Sequence, residues 1–221
     1  MHNSGDWLRQ RTRKWIILLA VFPLIMSCAI SVREPFQVDE SLLIGRIEGD
    51  SFIGQRFPFT IRIPDGWQAA TQYPEFLTEQ GYGREGLKQT PFFLFNPRTK
   101  SSIQVDFSPA GRTVRFSQEF MENLVQMSGK DFVNEVHLEH GEKVSMQLSK
   151  ITPVRLKGVP YAARMSAQFT VQGKPREQGW IYAFAEPYQI FILYQITGPN
   201  READKEALKQ ALSSFEYLGI R

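Results

Sequence analysis

The chain has 221 residues, with 26 Lys and Arg against 23 Asp and Glu, and hydrophobic residues make up 42% of it. Its basic excess lies at the N-terminus: residues 1–27 hold four Lys and Arg and one Asp, which leaves 22 residues of each sign in 28–221. This balance argues against a nucleic-acid-binding protein. The single cysteine excludes a disulfide within the chain, and if it carries lipid it also excludes thiolate catalysis and thiolate metal sites.

The N-terminal segment has three parts that together are typical of an export signal. A basic cluster that ends at Lys14 precedes an apolar run from Trp15 to Met26, which is shorter than the ~20 residues that span a bilayer. Residues 25–28 then have the sequence IMSC, which resembles the signal of a bacterial lipoprotein. The resemblance implies cleavage after Ser27 and acyl chains such as palmitate on Cys28. The alternatives are an ordinary signal peptide with a chance cysteine, or a short core helix.

The residues after the cysteine bear on location and domain organisation. Ala29 stands where an aspartate retains some lipoproteins in the inner membrane, so we expect an outer-membrane anchor with the protein facing the periplasm. Residues 28–41 carry mixed charges, Pro35 and little periodicity, which predicts a tether. Residues 42–221 are long enough for one domain with one sizeable core.

The first predicted elements of this domain are strands. Residues 57–63 alternate apolar and polar side chains, with Pro58 at an edge or strand start, and the sequence PDG at 64–66 predicts a turn. Residues 92–95 and 103–107 flank the turn-forming sequence NPRTK, which predicts a hairpin. The first half of the domain is therefore expected to be mainly β-structure.

The next predicted element is a helix capped by Ser117, with apolar residues at helical spacing as far as Met127 and an end at Gly129. A meander of antiparallel strands should follow, at residues 144–157, 161–171, 179–185 and 188–197. The last of these is apolar on both faces, which predicts a central strand covered on both faces by helix. A final helix opens at 199–200 with an apolar stripe that ends at Phe215. The fold class is α+β: an antiparallel sheet with helices packed on it.

The order of these parts resembles the PsbP-like superfamily, which includes the DcrB-type envelope proteins. The resemblance rests on a Phe-rich strand that runs into IPDGW at 63–67, a middle helix, a meander and a closing helix. It covers about residues 44–218. It implies a non-enzymatic accessory or binding protein and supplies no functional residue.

Three sequence patterns invite chemical interpretations that we do not favour. The glycines of residues 81–86 match a dinucleotide fingerprint but lack the flanking strand and helix, so we expect a flexible connection and no cofactor. His137 and His140 lie three apart among glutamates, yet Gly141 favours a solvated loop or hairpin over a metal helix. No Gly-x-Ser-x-Gly motif is present, and a carboxylate pair cannot be identified from sequence. We expect no metal site and no catalysis.

Aromatic residues between the first strand and the hairpin form a possible recognition loop, composed of Trp67, Tyr73, Phe76 and Tyr82. The alternative is that Trp67 and Phe76 close one end of the core, as large aromatics usually do. The alternating Trp180, Tyr182 and Phe184 belong to the core in either case.

The sequence therefore predicts a lipid-anchored, extracytoplasmic accessory module that binds a partner protein of the bacterial envelope and is not an enzyme. A carrier or sensor of a small apolar ligand or lipid is the alternative, and a concave apolar pocket would indicate it. An envelope hydrolase is less favoured, since it needs His137 or His140, carboxylates and a serine in one cleft.

Overall fold

The computed structural model describes residues 37–79, 92–111, 115–198 and 201–219. Cys28, Ser27, Tyr82 and the glycines of 81–86 lie outside the described residues. The helices are α1 Glu75–Glu79, α2 Gln118–His140 and α3 Arg201–Ser214. The strands are β1 Gly45–Glu48, β2 Ser51–Gly54, β3 Phe59–Arg62, β4 Gln68–Ala70, β5 Phe92–Phe95, β6 Ser102–Pro109, β7 Met146–Leu148, β8 Thr152–Pro153, β9 Tyr161–Val171, β10 Lys174–Ala185, β11 Tyr188–Ile196 and β12 Glu216–Tyr217.

These strands form two antiparallel sheets. The small sheet has the order β1-β2-β3-β12, and the large sheet has the order β4-β5-β6-β11-β10-β9-β7, with β8 paired to β9. Consecutive hairpins join β9, β10 and β11, so the α+β class and the predicted meander are confirmed. The Glu186–Pro187 peptide bond between β10 and β11 is cis.

The central position of β11 agrees with its sequence, but the cover differs between its two faces. Ile190, Ile192 and Ile196 lie in a cluster with residues of the small sheet and α3, whereas Phe191 and Leu193 pack beside the α2 cluster. Helix was predicted to cover this strand. The face with Ile190, Ile192 and Ile196 instead contacts both α3 and the small sheet, because strand β3 of the small sheet has an apolar side of its own to bury.

Helix α2 is longer than predicted. Ser117 is its N-cap, as expected, and accepts a hydrogen bond from the Phe120 N–H at 3.1 Å. The prediction that the helix ends at Gly129 is wrong, since it continues to His140 and Gly141 provides the C-cap at φ 90°. Gly129 is buried where a Cβ would lie 2.9 Å from the Met165 sulfur and 3.2 Å from the Trp180 ring. The glycine permits close packing of helix on sheet and does not stop the helix.

The strand predicted at residues 144–157 is divided into β7 and β8. The Ser149 N–H donates to the Ser166 carbonyl at 2.8 Å, but the Ser166 N–H donates to the Ser149 hydroxyl at 2.9 Å. A side-chain oxygen thus replaces a main-chain acceptor, which interrupts the ladder between the two strands. Strand β10 begins at Lys174, five residues before the predicted start, because it pairs with β9 from the Val171 position onward.

The last residues of the predicted tether contact the domain. Val38 packs against the main core, and the Arg56 guanidinium donates to the carbonyls of Glu40 at 2.7 Å and Leu42 at 2.6 Å. The chain therefore meets the folded domain before its first strand.

Candidate functional site

The aromatic residues of the predicted recognition loop separate into two clusters. Trp67 is 6% exposed and belongs to the core under the small sheet. Phe76 is also buried and packs with Phe93, against which Tyr73 lies at a ring distance of 4.9 Å. These three rings form no common exposed surface. A recognition role for this segment, including Tyr82 outside the described residues, stays a prediction.

The two histidines lie on the last turn of α2, so the predicted loop or hairpin at this point is wrong. Lys and Arg are absent from that turn, and His137 and His140 are its basic residues. His140 lies 3.7 Å from the Glu139 carboxylate. Within the described ranges, no group of three His, Cys, Asp or Glu side chains is placed to hold a metal ion.

His140 lines a cleft of about 590 Å³ at the end of α2. The other walls come from β7 and the connection that precedes it, the end of β9, the start of β10 and the first residue of α3. The lining residues are His140, Lys143, Val144, Ser145, Gln147, Gln168, Phe169, Thr170, Pro175, Arg176 and Arg201. We call this feature the basic cleft.

The basic cleft is named for its charges. Lys143, Arg176 and Arg201 line it, and none of the lining residues is an Asp or Glu. Within the part of the chain that the structure describes, Lys143 and Arg176 form no ion pair. A partly enclosed surface of one charge sign concentrates the potential and attracts ligands of the opposite charge.

Arg201 is only weakly engaged by the protein itself. Its Nη2 lies 3.5 Å from a Glu177 carboxylate oxygen, which is also 3.3 Å from the Lys205 Nζ. The Arg201 Nε is buried and has no hydrogen-bond partner among the described residues. Buried donors are usually paired, so this nitrogen is an exception among the described side chains.

A smaller hollow of about 60 Å³ adjoins the basic cleft and has the opposite character. Glu135, Glu139 and Glu177 line it, and it shares His140, Phe169 and Arg176 with the basic cleft. The side chains between the two hollows therefore separate an acidic surface from a basic one.

The serine that lies in the basic cleft does not complete a catalytic arrangement. Ser145 and His140 both line the cleft, but among the described side chains no hydrogen bond joins its hydroxyl to the imidazole. A nucleophile and its base need that contact, or a geometry close to it. The arrangement suits binding through charge and hydrogen bonds better than acyl transfer.

A second polar position lies on the α2 side of the large sheet. Burial raises the pKa of the Asp106 carboxyl to about 6, although the Gln104 amide donates to it at 2.7 Å and opposes that rise. Tyr73 lies near enough for the charge of Asp106 to contribute to the raised pKa of its phenol, which burial chiefly causes. Sequence alone did not single out this residue.

Comparison with known proteins supports the fold. No family model and no curated protein matches the sequence. Among solved structures, cyanobacterial PsbP (CyanoP) from Synechocystis sp. PCC 6803 is similar with a TM-score of 0.52 and 10% identity, over 82% of this chain and 98% of that one. The chain has the PsbP-like fold.

A second solved structure with similarity is LpqN, described as involved in cell envelope biogenesis of Mycobacterium tuberculosis. It has a TM-score of 0.44 and 12% identity over 72% of this chain and 82% of that one. At 10% identity, the similarity to CyanoP shows the fold and no specific function. Among the described residues, no helix has the length and hydropathy to cross a membrane.

Proposed function

We propose that this protein is a non-catalytic accessory module of the bacterial envelope, anchored through lipid on Cys28, that binds an acidic segment of a partner protein in the basic cleft. The observation that carries the proposal is the convergence of Lys143, Arg176 and Arg201 on one cleft without a lining carboxylate. Residues from five parts of the chain build this surface, so it is a product of the fold.

The local charge contrasts with the overall charge. Residues 28–221 hold 22 basic and 22 acidic residues, so the mature domain has no general attraction for polyanions. Selectivity would then come from the arrangement of cations in the cleft, with Gln147 and Gln168 as neighbouring hydrogen-bonding groups. Electrostatic complementarity of this kind affects association rate and specificity more than the total affinity.

The alternative of an apolar-ligand carrier has less support. A carrier needs a concave cavity lined mainly by apolar side chains. The basic cleft is only partly enclosed, and eight of its lining residues are charged or polar, with Phe169, Val144 and Pro175 as its apolar members. These features favour a polar macromolecular ligand over a small apolar one.

The proposed location follows from the sequence signal. Acyl and diglyceride chains on Cys28 would together provide the two signals that stable membrane anchoring requires. Tethering raises the concentration of the domain near membrane-associated partners. The absence of aspartate after the cysteine favours the outer membrane, with the domain in the periplasm.

Binding can be tested with the purified full-length lipoprotein in detergent and a fluorescent deca-glutamate peptide as the acidic probe. We expect the double variant Lys143→Gln, Arg176→Gln to bind it at least tenfold more weakly, and added salt to weaken the native protein similarly. Lys130→Gln removes a surface charge from α2 about 15 Å along the helix from His140 and should change the affinity little. Equal losses in both variants would contradict a role for the cleft.

Partner binding in cells needs a second measurement. A photo-crosslinking residue at Gln147, inside the cleft, should give a specific adduct that disappears in the Lys143→Gln, Arg176→Gln background. The same residue at the exposed Lys209 is the control. Mass spectrometry of the protein extracted from its own membranes tests the anchor, since an intact chain with residues 1–27 and no lipid would overturn the proposed location.

A further inference from the structure

Exposed apolar side chains are concentrated where the chain enters the domain. Leu42, Leu43 and Ile47 are 45%, 72% and 56% exposed and lie within six residues of each other in sequence. The other large exposed hydrophobic residues in the described ranges are more widely spaced along the sequence. We call Leu42, Leu43 and Ile47 the leucine patch.

The leucine patch lies on an edge of the small sheet. Among the described strands, β1 pairs only with β2, so it is an edge strand of that sheet. Ile47 is directly opposite Phe52, which is 2% exposed, so both side chains project from the same face. Other described elements cover Phe52 but leave Ile47 exposed, so the apolar face of the small sheet continues at Ile47 onto the surface.

Charged groups beside the patch are largely satisfied within the domain. Arg46 pairs with Glu48, and Arg62 pairs with Asp50 at 2.8 Å. The Arg56 guanidinium binds the main-chain carbonyl of Leu42. Asp39 and Glu40 also lie beside Leu42 in the sequence, and hydrogen bonds from Ser41, with a smaller contribution from Arg56, lower the pKa of the Asp39 carboxyl. Three arginines and four carboxylates therefore lie near the exposed leucines, so their occupant should be recognised by apolar contact more than by charge.

The position of the patch along the chain indicates the occupant. Leu42 follows Cys28 by only 14 residues, which can span at most about 50 Å when fully extended. If Cys28 is lipidated, the leucine patch is held within that distance of a bilayer. We propose that the leucine patch inserts into the headgroup region of the membrane and fixes the β1 edge against it. This inference rests on the anchoring part of the proposed function.

Because the domain is already tethered, a small apolar patch is sufficient to orient it on the membrane. A single myristoyl chain binds membranes only marginally, and three partly exposed side chains bury less apolar surface than such a chain. A domain already tethered to the bilayer needs no further anchoring energy, because the second contact is intramolecular. The patch would therefore orient the domain without contributing much to its membrane retention.

The test uses the mature lipoprotein, which begins at the acylated Cys28, reconstituted in phosphatidylcholine vesicles. Because Cys28 is acylated, the variant Leu43→Cys has one free thiol, which is labelled with the environment-sensitive dye NBD. The matched control is Leu138→Cys, at a position on α2 that is 87% exposed. We expect NBD at position 43 to be quenched at least threefold more than at position 138 by doxyl-labelled lipids. The quenching should persist in 1 M salt and decrease when Ile47→Ser is added.

Two outcomes would overturn the inference. Equal quenching at positions 43 and 138 would show that the patch does not enter the bilayer. A dye at position 43 that is shielded from water but not quenched by lipid would assign the patch to contact with a second copy of this chain. Mass spectrometry of the same sample separates these outcomes from loss of the anchor, because an unlipidated Cys28 would instead contradict the proposed function.

Discussion

The two faces of the large sheet are built differently. The face toward the small sheet and α3 is covered by fully buried aromatic side chains, among which Phe59 contacts the rings of Phe92 at 5.5 Å and Phe107 at 5.0 Å. The face toward α2 contains many partly buried residues, and it also holds Asp106 and part of the basic cleft. We expect the first face to contribute more to stability, whereas the groups of the proposed binding site lie on the second.

The two faces should differ most in the free energy of unfolding that is lost when one phenylalanine of each face is replaced by alanine. Phe59 is completely buried, so Phe59→Ala should lower the free energy of unfolding by about 3–5 kcal/mol. Phe132 is partly exposed beside Trp180, and Phe132→Ala should cost roughly half as much. Urea denaturation measures both. Equal losses would show that the two faces contribute alike, and Phe59→Leu provides a milder variant if the alanine variant does not fold.

A smaller effect is expected where α2 approaches the sheet most closely. Gly129→Leu would force the helix away from the Trp180 ring and should destabilise the protein by about 1–3 kcal/mol. Met127→Leu, at an exposed position on the same helix, is the control and should be nearly neutral. A neutral Gly129→Leu variant in thermal unfolding would show that this interface is loose.

The smallest effect concerns the buried carboxyl on the α2 face. The pKa of Asp106 in the folded protein, about 6, exceeds that of an unfolded Asp, so the folded state binds the extra proton between about pH 4 and pH 6. The stability due to this proton is present below pH 4 and is lost as the pH rises through 6. Asp106→Asn should therefore raise stability by about 1 kcal/mol at pH 7 and change little at pH 4. Urea midpoints at the two pH values test this, and a loss at pH 7 would contradict it.

Sequence patterns predicted those elements whose determinants are local. Strict alternation located β6, the Gly- and Pro-containing turns on either side located β9, and a side-chain oxygen at Ser117 located the start of α2. The role of Gly129 could not be predicted, because it depends on Trp180, which reaches the helix only through the fold. A glycine inside a helical pattern has the same local signature whether it ends the helix or packs against a ring.

The candidate site was not predictable for a related reason. Lys143, Arg176 and Arg201 lie far apart in sequence and are brought together by the pairing of β9 with β7 and β10. Asp204 shows the same limit: an acidic residue in the first turn of a helix is typically a solvated charge that favours the helix dipole, but Asp204 is 2% exposed. There it accepts hydrogen bonds from Ser101 at 2.7 Å and Asn96 at 3.0 Å. A single sequence gives no indication that residues so far apart along the chain will contact each other.

The positions of the tryptophans give each face of the large sheet its own optical reporter. Trp7 and Trp15 precede Cys28, so a processed protein would retain only Trp67 and Trp180. Trp67 belongs to the cluster under the small sheet, whereas Trp180 lies under α2 and donates from its indole to the Val125 carbonyl at 2.9 Å. Fluorescence of the two single-tryptophan variants would therefore show whether the two faces unfold together, without any attached dye.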